Sequence, residues 1–241
     1  MSTLLLIRHG QASLRAADYD VLSELGVLQS QRLGEHLAER GRGFDRLLCG
    51  PLRRQRDTAE HLRAAAAARG LILPVPEVIP GLDEMPALEL LSDHAPAHAA
   101  RDPELSALLS ALQAAAAADR PTYLRAFEPY FQAVLQRWIA GVFDHHGVES
   151  YARFRARVEE SLEAALYRAG RGARIAVVTS AGPIGLALRR AFDLSPWDGM
   201  RATFVAANTS ITELQHRPGE LTLTLFNALP HLHDPAHITL R

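Results

Sequence analysis

Three short segments of the sequence carry side chains that could bind and transfer a phosphoryl group. They are Arg8-His9-Gly10-Gln11, Pro51-Leu52-Arg53-Arg54 and Leu82-Asp83-Glu84. A guanidinium fork matches a pair of phosphoryl oxygens, and an imidazole can become phosphorylated on nitrogen. A carboxylic acid can protonate the alcohol that leaves. If the fold brings the three segments together, phosphoryl transfer is the chemistry that they predict.

The elements between these segments predict that they do converge. Apolar runs at Leu4–Ile7 and Phe44–Cys49 indicate buried strands, and each is followed by a helix, at Ser23–Arg40 and Leu52–Arg69. Short apolar runs that alternate with amphipathic helices are typical of an α/β fold with a largely parallel sheet. Ligands of such sheets bind at the carboxyl ends of the strands, where all three segments are predicted to lie.

The second half of the chain predicts the rest of the sheet. A helix over Tyr151–Arg168 leads to a strand at Arg174–Thr179 and a helix at Gly182–Phe192. Three further short strands are expected at Thr203–Ala206, Ser210–Leu214 and Leu221–Phe226. The prediction is a three-layer α/β/α sandwich with a mostly parallel sheet.

One part of the chain does not follow the α/β alternation. Residues Pro86–Gly147 are rich in Ala, Leu, Pro and His and contain no convincing strand. We therefore predict one catalytic domain over 1–241, with a helical cap inserted at 86–147.

Composition excludes several functional classes. All 26 basic residues are arginine, so mechanisms that need a lysine, such as a Walker A loop or a Schiff base, are excluded. A net charge of −1 without a basic stripe argues against nucleic-acid binding. A long uncharged stretch, Ile175–Leu188, contains glycine and proline and is shorter than the roughly 20 residues of a membrane span. The single cysteine, Cys49, is compatible with a reducing compartment, and a cytoplasmic location is the expectation.

The order of the motifs along the chain resembles the histidine phosphatase superfamily, also called the phosphoglycerate mutase-like proteins. Arg8-His9-Gly10-Gln11, Ser23-Glu24-Leu25-Gly26, Pro51-Leu52-Arg53-Arg54 with Thr58-Ala59, and Gly81-Leu82-Asp83-Glu84 appear in the family's order. Further matches follow at Glu149-Ser150, Arg157-Val158, Asn208-Thr209-Ser210-Ile211, Phe226-Asn227 and His231-Leu232. The resemblance covers most of the chain outside the predicted cap.

This resemblance implies a phosphomonoesterase that works through a phosphohistidine. His9 matches the nucleophile, Arg8 and Arg54 match the arginines that bind phosphate, and Glu84 matches the general acid. Fixed guanidinium charges would take the place of a metal ion, so neither a metal nor a cofactor is expected. The expected partner is a small phosphorylated substrate, and Gln11 is a further candidate for lining the phosphate loop.

The sequence departs from the family pattern at one site residue. The turn after the strand Arg174–Thr179 normally carries a second histidine, and Ser180 stands in its place here. A serine can donate a hydrogen bond to a phosphoryl oxygen but carries no charge, so the rate could fall by on the order of 10²–10³. His231, His233, His145 and His146 are candidates for a compensating imidazole.

The sequence leaves several alternatives open. Phosphoryl transfer of the phosphoglycerate mutase type and a phosphate-binding module with weakened catalysis remain compatible with the motifs. A serine between a strand and a helix also resembles the nucleophile elbow of hydrolases, although Val178 stands where that motif needs glycine. The substrate and the oligomeric state are open, and a homodimer is one assembly that the sequence allows.

Overall fold

The structure, a computed structural model, describes residues 1–12, 20–143 and 147–240. The candidate histidines His145 and His146 lie outside these ranges. The chain divides into two compact units, one formed by Met1–Glu84 with Arg157–Arg241 and the other by Met85–Ala156. The predicted cap at 86–147 falls within the second unit, and its status as an insertion in one catalytic domain stays a prediction.

The first unit contains the sheet and the helices that flank it. Its strands are β1 (Ser2–Arg8), β2 (Arg46–Cys49), β3 (Glu77–Val78), β4 (Arg174–Thr179), β5 (Ile211–Arg217) and β6 (Glu220–Ala228). Its first helices are α1 (Glu24–Glu39) and α2 (Arg53–Ala68). The strand order is β3-β2-β4-β1-β5-β6. The β2–β3, β2–β4 and β1–β4 pairs are parallel, whereas β5 and β6 form an antiparallel edge.

Helices α1 and α2 cover one face of this sheet. Leu5 and Ile7 of β1 share a buried cluster with Leu33 and Leu37 of α1 and with Leu62 of α2. The neighbouring β1 residues Leu4 and Leu6 point to the opposite face and are also fully buried. Burial on both faces explains why β1 reads as a continuous apolar run instead of an alternating one. The predicted α/β/α sandwich is confirmed.

The start of α1 is fixed by a cap and by a close backbone contact. The Ser23 hydroxyl accepts the N–H of Gly26 at 3.0 Å, as an N-cap does. A Cβ atom on Gly26 would lie 2.2 Å from the carbonyl oxygen of Gln11. Only glycine therefore lets α1 approach the segment that follows β1.

The second unit is helical over its described residues. Its helices are α3 (Ala87–Glu89), a π-helical turn at Leu90–His94, α4 (Ala95–Ala99), α5 (Pro103–Ala114), α6 (Arg120–Ile139) and the first turns of α7 (Tyr151–Ala169). Trp138 is fully buried against the rings of Tyr151 and Phe154. Arg137 pairs with Asp102, the N-cap of α5, at 2.9 Å. This unit therefore has its own aromatic core and ion pair.

The remaining helices lie in the first unit after β4. They are α8 (Ala181–Phe192) and α9 (Pro196–Arg201). The strand predicted at Thr203–Ala206 is wrong, because a 3₁₀ turn continues from α9 over Ala202–Phe204. The Thr203 hydroxyl donates to the Met200 carbonyl at 2.7 Å, and such a local bond keeps the turn helical. The two-residue strand β3 was missed, because Glu77–Val78 is too short to show a pattern.

No helix among the described residues is long and apolar enough to cross a membrane.

Candidate active site

Loops from several elements meet at the carboxyl ends of β1, β2 and β4. The N–H of His9 donates to the Thr179 carbonyl at 2.8 Å, and the N–H of Gly50 donates to the Val178 carbonyl at 3.0 Å. The Thr179 hydroxyl in turn donates to the Leu82 carbonyl at 2.8 Å. The backbone thus connects the segments that carry His9, Arg54, Ser180 and Glu84.

The His9 imidazole is held in one tautomer. Its Nδ1 lies 2.7 Å from the carbonyl oxygen of Gly10, which can only accept, so Nδ1 carries the hydrogen. Nε2 therefore keeps its lone pair, and Arg54 Nε donates to it at 3.2 Å. With only 4% of the residue exposed, the side chain has little room to reorient. This arrangement leaves Nε2 as the unprotonated ring nitrogen, facing Arg54.

The surroundings of His9 also favour the neutral imidazole. Burial lowers the pKa of His9 well below its ordinary value of 6.5, and the positive charges of Arg8 and Arg54 lower it further. The hydrogen bond to Gly10 acts in the opposite direction and is outweighed. A neutral ring at neutral pH is what a nitrogen nucleophile requires.

Of the adjacent residues Arg53 and Arg54, Arg54 is the buried one that contacts His9. It is 7% exposed, and its Nη1 forms an ion pair with Asp20 at 2.8 Å. Asp20 also accepts the N–H of Arg53 at 2.7 Å, which joins it to the start of α2. The Arg53 side chain is exposed and pairs with Asp57 at 3.4 Å. Only Arg54 of this pair contacts His9.

Arg8 is oriented by the C-terminal part of the chain. Its Nη1 donates to the Ala206 carbonyl and, at 2.6 Å, to the Leu240 carbonyl. Its charge acts on His9 through the pKa shift described above. Phosphate binding by Arg8 remains a prediction.

Glu84 lies beside the start of α8. Its Oε1 accepts the N–H of Gly182 at 3.1 Å. Its backbone is held by Arg157 of α7, whose guanidinium donates to the carbonyls of Gly81, Asp83 and Glu84 at 2.9–3.0 Å. The contact with Gly182 places the carboxyl group beside the start of α8, which follows β4, and the role of Glu84 as an acid stays a prediction.

Gln11 points toward helix α1. Its Oε1 accepts the Ser23 hydroxyl at 2.9 Å, and its backbone N–H donates to Gln29 Oε1 at 2.9 Å. These contacts connect the turn after His9 with the N-cap of α1. A contact between Gln11 and substrate remains a prediction.

Ser180 is fully buried between β4 and α8. Gln55 Nε2 donates to its hydroxyl at 2.8 Å. Gln55, in the first turn of α2, is buried as well, and no sequence signal singled it out. The structure therefore joins Ser180 by a hydrogen bond to a residue that the sequence analysis overlooked.

Asn208 and Thr209 hold the backbone of His9 from the C-terminal side. Asn208 Nδ2 donates to the His9 carbonyl at 3.0 Å, and the Thr209 N–H approaches the same oxygen at 3.4 Å. His231 Nε2 lies 2.9 Å from the Thr209 hydroxyl, whereas His233 is exposed. The motif order included Asn208 and Thr209 but suggested no role. A positive φ of 57° at Thr209 marks the sharp turn that positions both.

Within residues 1–12, 20–143 and 147–240, no group of three or more His, Cys, Asp or Glu side chains is arranged to hold a metal ion.

Comparison with known protein families identifies the family of this chain. The profile of the histidine phosphatase superfamily (branch 1) matches residues 4–122 and 122–229, nearly the whole chain. The chain belongs to the histidine phosphatase superfamily. No curated protein sequence matches it.

Solved structures of the histidine phosphatase superfamily have the same fold. A phosphoserine phosphatase variant from Entamoeba histolytica is 20% identical, with a TM-score of 0.62 and coverage of 96% of this chain and 100% of that one. A phosphoglycerate mutase from Bacillus anthracis is 19% identical, with a TM-score of 0.61 and coverage of 95% and 94%. A mycobacterial glucosyl-3-phosphoglycerate phosphatase is 23% identical, with a TM-score of 0.60 and coverage of 94% and 98%.

Proposed function

We propose that the protein is a metal-independent phosphomonoesterase that works through a phosphohistidine on Nε2 of His9. The observation that carries the proposal is the state of this imidazole. It is buried and neutral, its Nδ1 hydrogen is held by the Gly10 carbonyl, and its Nε2 contacts a guanidinium group. A phosphate bound to Arg54 would therefore present its phosphorus atom to Nε2.

The first step breaks the ester bond. The Nε2 lone pair attacks phosphorus, the bond from phosphorus to the ester oxygen breaks, and the leaving alcohol takes a proton from the Glu84 carboxylic acid. In the second step water attacks phosphorus, the nitrogen–phosphorus bond breaks, and Glu84 takes a proton from the water. Phosphate leaves, and both residues return to their starting states.

The arginines and Ser180 would act on the phosphoryl oxygens. Arg54 and Arg8 supply fixed positive charge, which stabilises negative charge that builds up in the transition state. Ser180 adds a neutral hydrogen bond where the family places an imidazole. Because a neutral donor is weaker than a charged one, we expect slow turnover compared with relatives that keep both histidines.

The substrate that we propose is a small phosphomonoester. The structural relatives named above include enzymes for phosphoserine and for glucosyl-3-phosphoglycerate, and a mutase for phosphoglycerate. These three classes of phosphate ester are the first compounds to assay. A homodimer and a cytoplasmic location stay predictions from the sequence.

The proposal is tested by trapping the intermediate. We expect quenching in alkaline detergent during turnover of a ³²P-labelled substrate to leave label on the wild type and none on His9→Ala, because the nitrogen–phosphorus bond is stable to base and labile to acid. His233→Ala, which changes an exposed histidine, serves as the matched control and should label normally. EDTA should leave the rate unchanged. Activity in His9→Ala, or a metal requirement, would overturn the proposal.

The same experiment separates the alternatives. Label on Ser180 would identify a serine hydrolase, and phosphate binding without any label would identify a binding module. Transfer of label from a bisphosphate to phosphoglycerate, in place of release to water, would identify a mutase.

A further inference from the structure

Ser180 directly follows β4, and His9 directly follows the neighbouring strand β1. Strands β1 and β4 are parallel neighbours, with Arg8 opposite Thr179, so the residues that follow each strand emerge side by side. Ser180 is fully buried, as is the Gln55 side chain that contacts it. The two residues are 125 positions apart in sequence and form a buried pair at the end of the strand next to β1.

The orientation of the Gln55 amide is fixed by a backbone donor. The N–H of Leu52 donates to Gln55 Oε1 at 3.1 Å. An N–H group can only donate, so the oxygen end of the amide must face Leu52 and the NH₂ end must face Ser180. Gln55 Nε2 therefore donates to the Ser180 hydroxyl at 2.8 Å, and the serine is the acceptor in this bond.

This geometry determines where the serine proton can go. A hydroxyl has one hydrogen to donate, and the bond from Gln55 uses an oxygen lone pair instead. Within the described ranges of the chain, the Ser180 hydroxyl makes no second hydrogen bond. The hydroxyl hydrogen of Ser180 is thus directed away from Gln55. The bond that Ser180 accepts from Gln55 also makes the Ser180 hydroxyl a stronger donor, because hydrogen bonds in a chain polarise one another.

We propose that Gln55 is a positioning residue that makes the Ser180 hydroxyl donate to a phosphoryl oxygen of the substrate. The Gln55–Ser180 pair would supply, without charge, the hydrogen bond that the second histidine supplies in the family pattern. The inference rests on the proposed function, because it needs a phosphoryl group bound beside His9. It assigns Gln55 no contact with the substrate.

A double-mutant cycle tests whether Gln55 acts through Ser180. We expect Gln55→Met and Ser180→Ala each to lower kcat by about tenfold, and the double variant to lose no more than about tenfold, because both remove one hydrogen bond to a charged group. KM should change less than kcat. Losses that multiply to about a hundredfold would show that Gln55 acts independently, and a fully active Gln55→Met would show no role; either result overturns the proposal.

A second variant separates proton direction from support of the helix start. Gln55→Glu keeps an acceptor for the Leu52 N–H but places an acceptor where Ser180 needs a donor, so the serine proton turns toward the new carboxylate. The negative charge of the new carboxylate affects kcat equally whether residue 180 is serine or alanine. Its effect therefore cancels in a double-mutant cycle with Ser180→Ala. We expect Gln55→Glu to cost about tenfold more in the Ser180 background than in the Ser180→Ala background. Equal costs would contradict the proposal.

The matched control is Gln29→Met, which changes another fully buried glutamine with bonds at both ends of its amide. The factors by which Gln29→Met and Ser180→Ala each lower kcat should multiply in the double variant, because the two residues act independently. The same double-mutant cycle can be measured with the vanadate affinities of the variants, which require no turnover. The test therefore stays decisive if a variant is too slow to assay. Failure here is distinct from failure of the proposed function: loss of coupling with an inactive His9→Ala overturns the role of Gln55 alone, whereas an active His9→Ala overturns the phosphohistidine mechanism.

Discussion

At the scale of single residues, the state of His9 determines what the site can do. One ring nitrogen is held by a backbone carbonyl, the other faces Arg54, and two positive charges act on a buried ring. Each of these contacts selects the neutral imidazole with its lone pair on Nε2. The same charges that would bind a phosphate thus also keep the His9 ring neutral.

This environment predicts that His9 titrates below the ordinary pKa of an imidazole. Because burial and the two arginines lower its pKa, His9 should stay neutral as the pH falls through 6.5 and gain a proton only at lower pH. Arg54→Met removes one positive charge and should raise the pKa. Long-range ¹H–¹⁵N spectra of the ring nitrogens, assigned with His9→Ala, measure both the pKa and the tautomer. Titration of His9 at or above pH 6.5, or a hydrogen on Nε2, would contradict this prediction.

The two adjacent arginines predict unequal effects. Arg54→Ala should lower kcat/KM by on the order of 10²–10³, because it removes a buried charge beside the nucleophile. Arg53→Ala should change kcat/KM by less than about twofold, because Arg53 is exposed and its ion pair with Asp57 is weak in water. Steady-state kinetics and vanadate affinity check both variants. Equal losses would show that the wrong arginine has been assigned.

At the scale of secondary-structure elements, α7 supports the loop that carries the proposed acid. Arg157 donates from two guanidinium nitrogens to the carbonyls of Gly81, Asp83 and Glu84. A Cβ atom on Gly81 would lie 2.0 Å from the Ser161 hydroxyl, so this loop packs directly on the helix. The helix therefore holds the loop by its backbone and leaves the Glu84 carboxyl group to face α8.

Arg157→Met should loosen this loop. We expect a loss of about 2 kcal/mol in unfolding free energy, because hydrogen bonds from a charged group to backbone carbonyls are lost. The kcat should fall more than vanadate affinity, since Arg157 holds the backbone of the loop that carries the proposed acid. Arg168→Met, at an exposed position of the same helix, is the control and should stay within about 0.5 kcal/mol of the wild type. A larger loss of vanadate affinity than of kcat would contradict this assignment.

At the scale of the whole molecule, the proposed site gathers residues from both ends of the chain. Asn208 reaches the His9 carbonyl, Arg8 reaches the Leu240 carbonyl, and His231 contacts Thr209 behind the His9 backbone. The C-terminal segment is therefore part of the structure that supports His9. Its stability should matter to activity although it carries none of the proposed catalytic residues.

The buried His231 predicts that the folded state weakens in acid. Burial, with smaller effects of His36 and His233, lowers the pKa of His231 to about 3, below its ordinary value of 6.5. Between these pH values the unfolded chain binds a proton that the folded chain does not. Stability is therefore lost as the pH falls below 6.5, by up to about 1.4 kcal/mol per pH unit.

Urea unfolding at pH 7 and pH 4.5 measures this loss. His231→Gln should reduce the difference in unfolding free energy between the two pH values, because it removes one of the histidines, with His9, whose pKa is lowered in the folded state. His233→Gln, at an exposed position, leaves the burial of His231 in place and should retain most of the difference. The same pH dependence in wild type and His231→Gln would contradict the assignment.

The amino-acid sequence determined the elements and the chemistry that they bring. Apolar runs such as Leu4–Ile7 and Arg174–Thr179 indicated strands because burial on both faces requires apolar side chains at successive positions. The motifs after those strands indicated the family and the residues at the strand ends. Local patterns failed where a neighbouring element decided the outcome, as at Thr203–Ala206, where the bond to Met200 kept a helical turn.

Only the tertiary structure decided which side chains contact each other at the strand ends. Asp20 pairs with Arg54, Asn208 donates to the His9 carbonyl, and Gln55 donates to Ser180, and none of these pairs is marked by a motif or a period. Their partners lie 34 to 199 residues apart in sequence. Periodicity reports which face of an element is buried, whereas a hydrogen bond between distant residues depends on how packed elements align at their ends, and that alignment is fixed only when the sheet and its helices are assembled.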